Sequence, residues 1–139
     1  MQEIDCDPLG RCALVRALWR HAQARDWAAM RAAYRSDATM RWPCSDEAFL
    51  DADAIVRVNA IYPEGWQLRV HTIDALLDGR VRSIIEVRQD GQRFFANSVF
   101  RFDGNLIAGV EEYWATVLPP PAWRSAASIG AYQRTDPPA

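Results

Sequence analysis

Three Asp-Gly dipeptides, at Asp78-Gly79, Asp90-Gly91 and Asp103-Gly104, divide the second half of the chain at intervals of twelve and thirteen residues. Asp-Gly readily adopts the positive φ angles that tight hairpin turns require. The segments that these turns separate are rich in Val, Ile and Phe, and they cover residues 66–77, 81–89, 92–102 and 106–117. Three successive hairpins predict a four-stranded antiparallel meander, whose long strands should twist and curve.

The third of these strands has one apolar face and one mixed face. Side chains two residues apart in a strand point to the same side of the sheet. This rule groups Phe94, Ala96, Ser98, Phe100 and Phe102 on one face, and Arg93, Asn97 and Arg101 on the other. We expect the first face to pack against the rest of the protein.

The first long strand changes its alternation part-way along. Trp66, Leu68 and Val70 share one parity, whereas Ile73 and Leu77 take the opposite one. A β-bulge near residues 71–72 would return both groups to the same face, and bulges bend strands where a sheet curves.

The first half of the chain shows helical periodicity instead. A helix is predicted to start at Asp7-Pro8, because Pro suits the first helical position. Its buried stripe, at the spacing i, i+3, i+4 and i+7, would be Val15, Leu18, Trp19 and Ala22. Asp26 should cap a second helix, with Trp27, Met30 and Tyr34 on one face.

A short strand and a third helix complete this half. Residues 38–42 alternate before Pro43, which ends the strand. A helix beginning at Asp51 or Asp53 would carry Ile55, Val58 and Tyr62 at helical spacing. Helices that precede a meander predict an α+β architecture, with the helices packed on one face of the sheet and a pocket between the two layers.

Length and composition set further bounds. The 139 residues suit a single domain over 1–139, in which residues 119–139, opening with three prolines, form a C-terminal extension. Nucleic-acid binding needs a basic surface, and a net charge of −2 gives no indication of one. We find neither a signal peptide nor an apolar run long enough to span a membrane, and we expect a cytoplasmic protein. Cys6, Cys12 and Cys44 have no metal-ligand spacing and are expected to be free thiols.

Several short sequence motifs, taken in their order along the chain, resemble those of one known family. They are Arg25-Asp26-Trp27, Ser36-Asp37-Ala38, Asp53-Ala54-Ile55, Tyr62-Pro63-Glu64-Gly65-Trp66, Asp103-Gly104-Asn105-Leu106-Ile107 and Glu111-Glu112-Tyr113-Trp114. Together they resemble the nuclear transport factor 2-like superfamily, in particular its SnoaL-like (polyketide cyclase-like) branch. The resemblance implies a cone-shaped α+β fold: three N-terminal helices on a curved antiparallel sheet made of a short strand and the meander. It also implies a pocket for a small apolar or aromatic molecule, and a homodimer formed through the outer sheet face.

Glu112 is the first candidate for chemistry. In catalytic members of the family a carboxylate directly precedes an aromatic pair, as Glu112 precedes Tyr113-Trp114. Its parity with Ala108, Val110 and Trp114 predicts apolar surroundings, which raise the pKa of a carboxyl group and suit it to proton transfer. The alternative is a carboxylate at the pocket mouth that is paired with an arginine.

Two further groups could assist Glu112. Glu86 lies in mid-strand and either lines the pocket or forms salt bridges on the outer face with Arg88, Arg93 or Arg101. His71 is the one strand histidine that could serve as a base, although its parity predicts the outer face unless the bulge turns it inward.

Aromatic residues are the expected walls of the pocket. The candidates are Tyr34, Trp42, Tyr62, Trp66 and Trp114, and for each of them the alternative is that it simply fills the core. By the resemblance, Ser98 and Ala96 occupy the positions where epoxide-hydrolase members carry an Asp and its partner Arg. The absence of that pair argues against an epoxide hydrolase of that type.

The sequence shows no metal-ligand spacing and no Gly-rich nucleotide loop, so we expect neither a metal nor another cofactor. Two hypotheses remain open. In the first, the protein is a cofactor-independent isomerase, cyclase or dehydratase in which Glu112, with His71 or Glu86, moves a proton. In the second, it is a non-catalytic ligand-binding or accessory dimeric module.

Overall fold

A computed structural model describes residues 8–135 of the chain. The elements run in the order α1 (Pro8–Gln23), α2 (Trp27–Arg31), β1 (Tyr34–Trp42), a 3-10 turn (Pro43–Ser45), β2 (Glu47–Phe49) and α3 (Ala52–Ile61). They continue with β3 (Trp66–Ala75), β4 (Val81–Gln89), β5 (Gln92–Asp103), β6 (Leu106–Thr116) and α4 (Ala126–Ile129). The predicted helix start at Asp7 and the thiol of Cys6 lie outside the described residues.

The strands form one curved, six-stranded sheet in the order β2-β1-β6-β5-β4-β3. Strands β3 to β6 are the predicted antiparallel meander. Strand β1 joins it in parallel beside β6, where Met40 lies opposite Val110. The predicted fold class, helices on a curved sheet made of a short strand and a meander, is confirmed. The three-residue edge strand β2 was not predicted.

The boundary between α2 and β1 was predicted wrongly. Tyr34, expected on the second helix, begins β1, and the helix ends at Arg31. The backbone N–H of Ile107 donates to the carbonyl of Ala33 at 2.9 Å, so pairing with β6 begins there. The seven-residue spacing of Trp27, Met30 and Tyr34 matched a helix, but a contact more than seventy residues away in sequence determined the local structure.

Helix α1 packs on the sheet through its predicted stripe. Val15, Leu18, Trp19 and Ala22 are all buried and belong to the main core cluster. Of the two predicted starts of α3, Asp51 is the N-cap, and its side chain accepts from the N–H of Ala54 at 2.8 Å. Tyr62, expected within that helix, follows its last residue instead.

The β-strands confirm the predicted faces. Ala96, Ser98 and Phe100 of β5 are buried against the helices, with Phe94 and Phe102 half-buried beside them. The register of β3 against β4 shifts between Val70 and Thr72, which places the predicted bulge at His71. Leu77, expected in the strand, lies in the following turn and is fully exposed.

The turn between β4 and β5 contains only two residues. Gln89 pairs with Gln92, so only Asp90 and Gly91 form the turn, with φ angles of 50° and 78°. Positive φ at both positions is the signature of the two-residue hairpin that Asp-Gly favours. This turn keeps β4 and β5 in register along their whole length and thereby sets the positions of the side chains around the cavity.

Candidate functional site

A cavity of about 490 Å³ lies between the helices and the inner face of the sheet. Four tryptophans form much of its wall: Trp19 from α1, Trp42 from β1, Trp66 from β3 and Trp114 from β6. The other lining residues are Ala22, Val58, Asn59, Ile61, Tyr62, Pro63, Leu68, Ile85, Val87 and Phe94. None of these fourteen side chains carries a charge at neutral pH. The volume lies within the range of small-molecule sites, about 300–1,000 Å³.

The cavity opens at the C-terminal end of α3. Ile61 and Tyr62 line it, yet they are 62% and 40% exposed. The hydroxyl of Tyr62 donates to Oε1 of Gln89 at 2.6 Å, and Nε2 of Gln89 donates to the carbonyl of Pro63 at 2.7 Å. Hydrogen bonds from β4 therefore hold this rim in place.

Glu112 lies behind two of the wall tryptophans. The indole N–H groups of Trp42 and Trp114 both donate to Oε1 of Glu112 at 3.0 Å, and the Ser98 hydroxyl donates to Oε2 at 2.5 Å. Glu112 is 4% exposed, forms no salt bridge among the described residues, and is not itself part of the cavity wall. The carboxyl group thus contacts two residues of the cavity wall without lining the cavity itself.

The environment of Glu112 favours its neutral form. Burial raises the pKa of the Glu112 carboxyl group, and the hydrogen bonds from Ser98, Trp42 and Trp114 lower it by less than burial raises it. A carboxylic acid that stays protonated towards neutral pH can donate a proton. The predicted apolar surroundings are therefore present, whereas the alternative pairing with an arginine is not seen.

Ser98 and Tyr34 belong to the layer behind the wall. Ser98 is fully buried and contacts the cavity only indirectly, through its hydrogen bond to Glu112. Tyr34 is also buried, and it is absent from the lining residues although the sequence placed it there. Burial, and then the nearby charge of Glu112, raise the pKa of the Tyr34 hydroxyl.

Glu86 and His71 lie on the other side of the sheet. Ile85 and Val87 line the cavity, so Glu86 between them points to the outer face. There its Oε1 lies 2.7 Å from Nε2 of His71. The predicted bulge at His71 does not turn that residue inward, and neither residue can act beside Glu112 in the cavity.

The sequence left open whether Glu86 lines the pocket or forms salt bridges on the outer face, and its contacts show the salt bridges. Nε of Arg88 and Nε of Arg93 donate to its Oε2 at 2.9 and 2.8 Å. The hydrogen bond from Arg93, with smaller contributions from Arg88 and His71, lowers the pKa of Glu86 to about 2 although its burial opposes the shift. Glu86 is thus the negatively charged centre of an ionic cluster at neutral pH.

Of the predicted wall residues, Trp42, Tyr62, Trp66 and Trp114 do line the cavity. Trp19, Ile85, Val87 and Phe94 are among the lining residues that were not predicted from the sequence. Trp19 was assigned to the core stripe of α1, and its position in the C-terminal half of that stripe, next to Ala22, could have indicated a wall residue. The other three have the inward parity of their strands, which predicts burial but does not separate a wall from a filled core.

Within residues 8–135, no helix is both long and apolar enough to cross a membrane. The same part of the chain contains no group of three or more His, Cys, Asp or Glu side chains arranged to hold a metal ion. No protein-family model and no curated protein matches the sequence.

Solved structures do share its fold. A candidate ketosteroid isomerase from Kribbella flavida superposes with a TM-score of 0.79 at 20% identity, over 92% of this chain and 91% of that one. A nuclear transport factor 2-like protein of unknown function from Burkholderia xenovorans superposes with a TM-score of 0.75 at 19% identity, over 91% and 96%. The chain has the nuclear transport factor 2-like fold. The resemblance predicted from the sequence is thereby confirmed at the level of the fold.

An epoxide hydrolase described as LEH-like, from Mycobacterium tuberculosis, shares this nuclear transport factor 2-like fold with a TM-score of 0.61 at 18% identity, over 77% of this chain and 84% of that one. The named activities of these proteins differ. A shared fold therefore does not determine the function of this protein. The function has to be inferred from the side chains around the cavity.

Proposed function

We propose that this protein binds an uncharged, largely apolar small molecule in the cavity between its helices and its sheet. The observation that carries the proposal is the wall itself: fourteen lining residues, none of them charged, around about 490 Å³. An ion transferred into such surroundings would lose its hydration without gaining a partner. Aromatic and aliphatic ligands would gain the free energy of apolar burial. Two proteins of this fold are named as a candidate ketosteroid isomerase and an epoxide hydrolase, and ketosteroids and epoxides are uncharged molecules.

A cavity-filling variant tests this proposal. Val58 of α3 lines the cavity, and Arg57 beside it is exposed. Val58→Trp should reduce the affinity for the neutral fluorescent probe N-phenyl-1-naphthylamine at least tenfold, because the added indole occupies the ligand's space. The matched control Arg57→Trp places the same ring outside the cavity and should bind like the wild type. Equal probe affinity in all three proteins, or no binding by the wild type, would contradict the proposal.

A second function, acid–base catalysis through Glu112, is favoured by the state of that carboxyl group. It is buried, has no basic partner among the described residues, and its pKa is raised by burial. Proton transfer to a ligand requires a movement that brings the carboxyl group into contact with the cavity, since Glu112 is not part of the cavity wall and its Oε1 accepts from both Trp42 and Trp114. The reaction would be an isomerisation, cyclisation or dehydration that needs no cofactor.

Glu112→Gln separates the two functions. The amide has the same size and can accept the indole N–H groups, but it cannot transfer a proton. With a panel of unsaturated ketones, analysed for isomerised or dehydrated products, we expect the variant to lose at least a hundredfold in turnover while it retains binding of the fluorescent probe. Unchanged turnover in the variant, or no turnover by the wild type, would leave binding as the function.

We further propose that two copies of the chain pair through the outer sheet face. The helices cover only the inner face of the sheet, and an antiparallel sheet with one covered face presents the other to water or to a partner. Ile84, Phe95 and Val99 lie on that outer face and are each half-buried. An ionic cluster centred on Glu86 lies beside them.

A further inference from the structure

Arg25 occupies a backbone position that favours glycine. Helix α1 ends in a Schellman motif: the N–H of Asp26 donates to the carbonyl of His21 at 2.9 Å, and the N–H of Arg25 donates to the carbonyl of Ala22 at 3.0 Å. Arg25 has a φ angle of 60°, in the left-handed region. Glycine is the usual residue at this place in the motif, because a side chain makes the conformation costly. The chain has an arginine there instead.

The side chain of Arg25 binds the segment that joins α3 to β3. Its Nε and Nη2 donate to the two carboxylate oxygens of Glu64 at 3.0 and 2.9 Å, and Nη2 also donates to the backbone carbonyl of Trp66 at 2.8 Å. The guanidinium carbon lies 3.5 Å from the centroid of the Trp66 ring. A planar guanidinium group suits both a carboxylate and the face of a ring. One side chain therefore makes an ion pair, a backbone hydrogen bond and a ring contact within three residues.

These contacts hold the cavity wall from outside the cavity. Tyr62, Pro63 and Trp66 of this segment line the cavity, whereas Arg25 does not. Gln89 of β4 binds the first two, through the Tyr62 hydroxyl and the Pro63 carbonyl. Arg25 binds the other end of the segment, where the largest of the three side chains lies.

Trp66 is held differently from the other three tryptophans of the wall. Their indole N–H groups each donate to a buried acceptor on the sheet at 3.0 Å. Nε1 of Trp66 has no hydrogen-bond partner among residues 8–135. The guanidinium group of Arg25 on the ring therefore takes the place of the hydrogen bond that fixes each of the others.

We infer that Arg25 is a positioning residue of the cavity, which holds the Trp66 ring and residues 62–66 in the geometry that binds the ligand. The inference rests on the proposed binding function and adds a residue that the ligand does not touch. A wall that is already ordered loses less conformational freedom when a ligand binds, so a fixed ring raises the affinity. Costly backbone conformations persist where the residue has such a role.

Arg25→Gly separates positioning from stability. The variant loses the guanidinium group, but it also relieves the left-handed backbone, so we expect its unfolding midpoint in urea to stay near that of the wild type. Its affinity for N-phenyl-1-naphthylamine should nevertheless fall about fivefold, the effect of one side chain that has to be ordered on binding. Arg25→Gln retains the backbone conformation and should lose the same affinity. A lower stability with unchanged affinity would show that Arg25 serves the fold alone.

Arg31→Gln is the matched control. Arg31 pairs with Asp53 at 2.8 Å, in a salt bridge about as exposed as that of Arg25 with Glu64, and neither Arg31 nor Asp53 lines the cavity. The control variant should bind the probe like the wild type. An equal loss of affinity in Arg31→Gln and Arg25→Gly would refute the positioning role.

The order of the Trp66 ring supplies a readout that needs no ligand. The six tryptophans would be labelled with nitrogen-15, and the Trp66 indole signal assigned through Trp66→Phe. In Arg25→Gly we expect the heteronuclear NOE of the Trp66 indole to fall, while the signals of the other three wall tryptophans keep their values. An unchanged value at Trp66 would contradict the inference.

The outcomes separate this inference from the proposed function. If the wild type and Arg25→Gly bind the probe equally, the positioning role is refuted and the binding function stands. If the wild type does not bind the probe, the proposed function fails and the positioning role fails with it. Should Arg25→Gly not fold, Arg25→Gln carries the same comparison.

Discussion

At the scale of single residues, two buried glutamates show how strongly their surroundings control the same side chain. Glu86 and Glu112 are 3% and 4% exposed, on opposite faces of the sheet. Two arginines and a histidine surround Glu86 and hold its pKa at about 2, whereas Glu112 has only neutral donors and burial raises its pKa. The first carboxyl group is therefore suited to structure, and the second to chemistry or to support of the cavity wall.

The stability of the protein in acid should depend on Glu86. Its pKa is about 2 in the folded protein against an ordinary value of 4.5, so its stabilisation is fully present above about pH 4.5 and is lost as the pH falls towards 2. We expect Glu86→Gln to lower the free energy of unfolding by about 2 kcal/mol at pH 7, and the difference from the wild type to shrink below pH 4.5. Urea unfolding between pH 3 and 7 measures this.

Glu111→Gln is the matched control for this experiment. Glu111 pairs with Arg41 in an exposed salt bridge at 3.3 Å, and exposed pairs contribute little to stability. A difference for Glu86→Gln that stays constant with pH would show that the ionic cluster does not stabilise the fold through its charge. For Glu112 the pH dependence of stability has the opposite sign. Because its pKa is raised in the folded protein, its contribution to the free energy of unfolding falls as the pH rises above 4.5.

At the scale of secondary-structure elements, one arginine joins α1 to two hairpin turns. Nη1 of Arg11 donates to the carbonyl of Gly79 at 3.0 Å, and Nη2 donates to the carbonyl of Gly104 at 3.1 Å. Arg11 is 9% exposed, and its guanidinium carbon lies 5.1 Å from the ring centroid of Phe102. The fork of donors on one guanidinium group suits carbonyls from two turns. The helix is thereby held against the turn ends of the sheet.

Replacing Arg11 should weaken this end of the fold selectively. Arg11→Met keeps most of the apolar volume but leaves the two carbonyls without their donors, and we expect a loss of about 2 kcal/mol in the free energy of unfolding. Hydrogen exchange should become faster for the backbone amides around residues 76–80 and 103–106. Arg16→Met, at an exposed position of the same helix, is the control and should do neither. Exchange that accelerates evenly over the whole sheet would contradict a local role.

At the scale of the whole molecule, the two faces of the sheet carry different features. The inner face, with the helices, encloses the cavity, and the outer face carries the ionic cluster around Glu86 beside half-buried apolar side chains. This division means that changes on the outer face can test assembly without touching the cavity wall.

Dimerisation through the outer face predicts a specific response to an added charge. Val99→Arg should convert a wild-type dimer into a monomer, measured by light scattering after size-exclusion chromatography at about 10 μM, because each copy would place an additional long, charged side chain in the interface. Leu50→Arg places the same charge on a 74% exposed apolar residue before α3 and should leave the dimer intact. A wild-type protein that is monomeric at this concentration would rule out the interface.

Much of this fold could be predicted because its signals are local. The Asp-Gly spacing determined the strands and hairpins, the alternation of side chains in β5 determined the buried face, and the stripe on α1 determined which residues of that helix pack. Even the bulge at His71 followed from a change of parity. Each of these patterns depends only on neighbours within a few positions along the chain.

The site depended on contacts that no local pattern records. Trp42 and Glu112 are seventy positions apart, and they meet because β1 pairs in parallel with β6. Parity alone predicted that Trp66 and Glu112 would point inward. It did not predict that Trp66 would line a cavity and that Glu112 would contact the wall without lining it. The sequence by itself therefore determined the architecture and the faces of the strands. Only the tertiary structure decided where space remains between the layers, because that depends on how side chains from distant elements fill it.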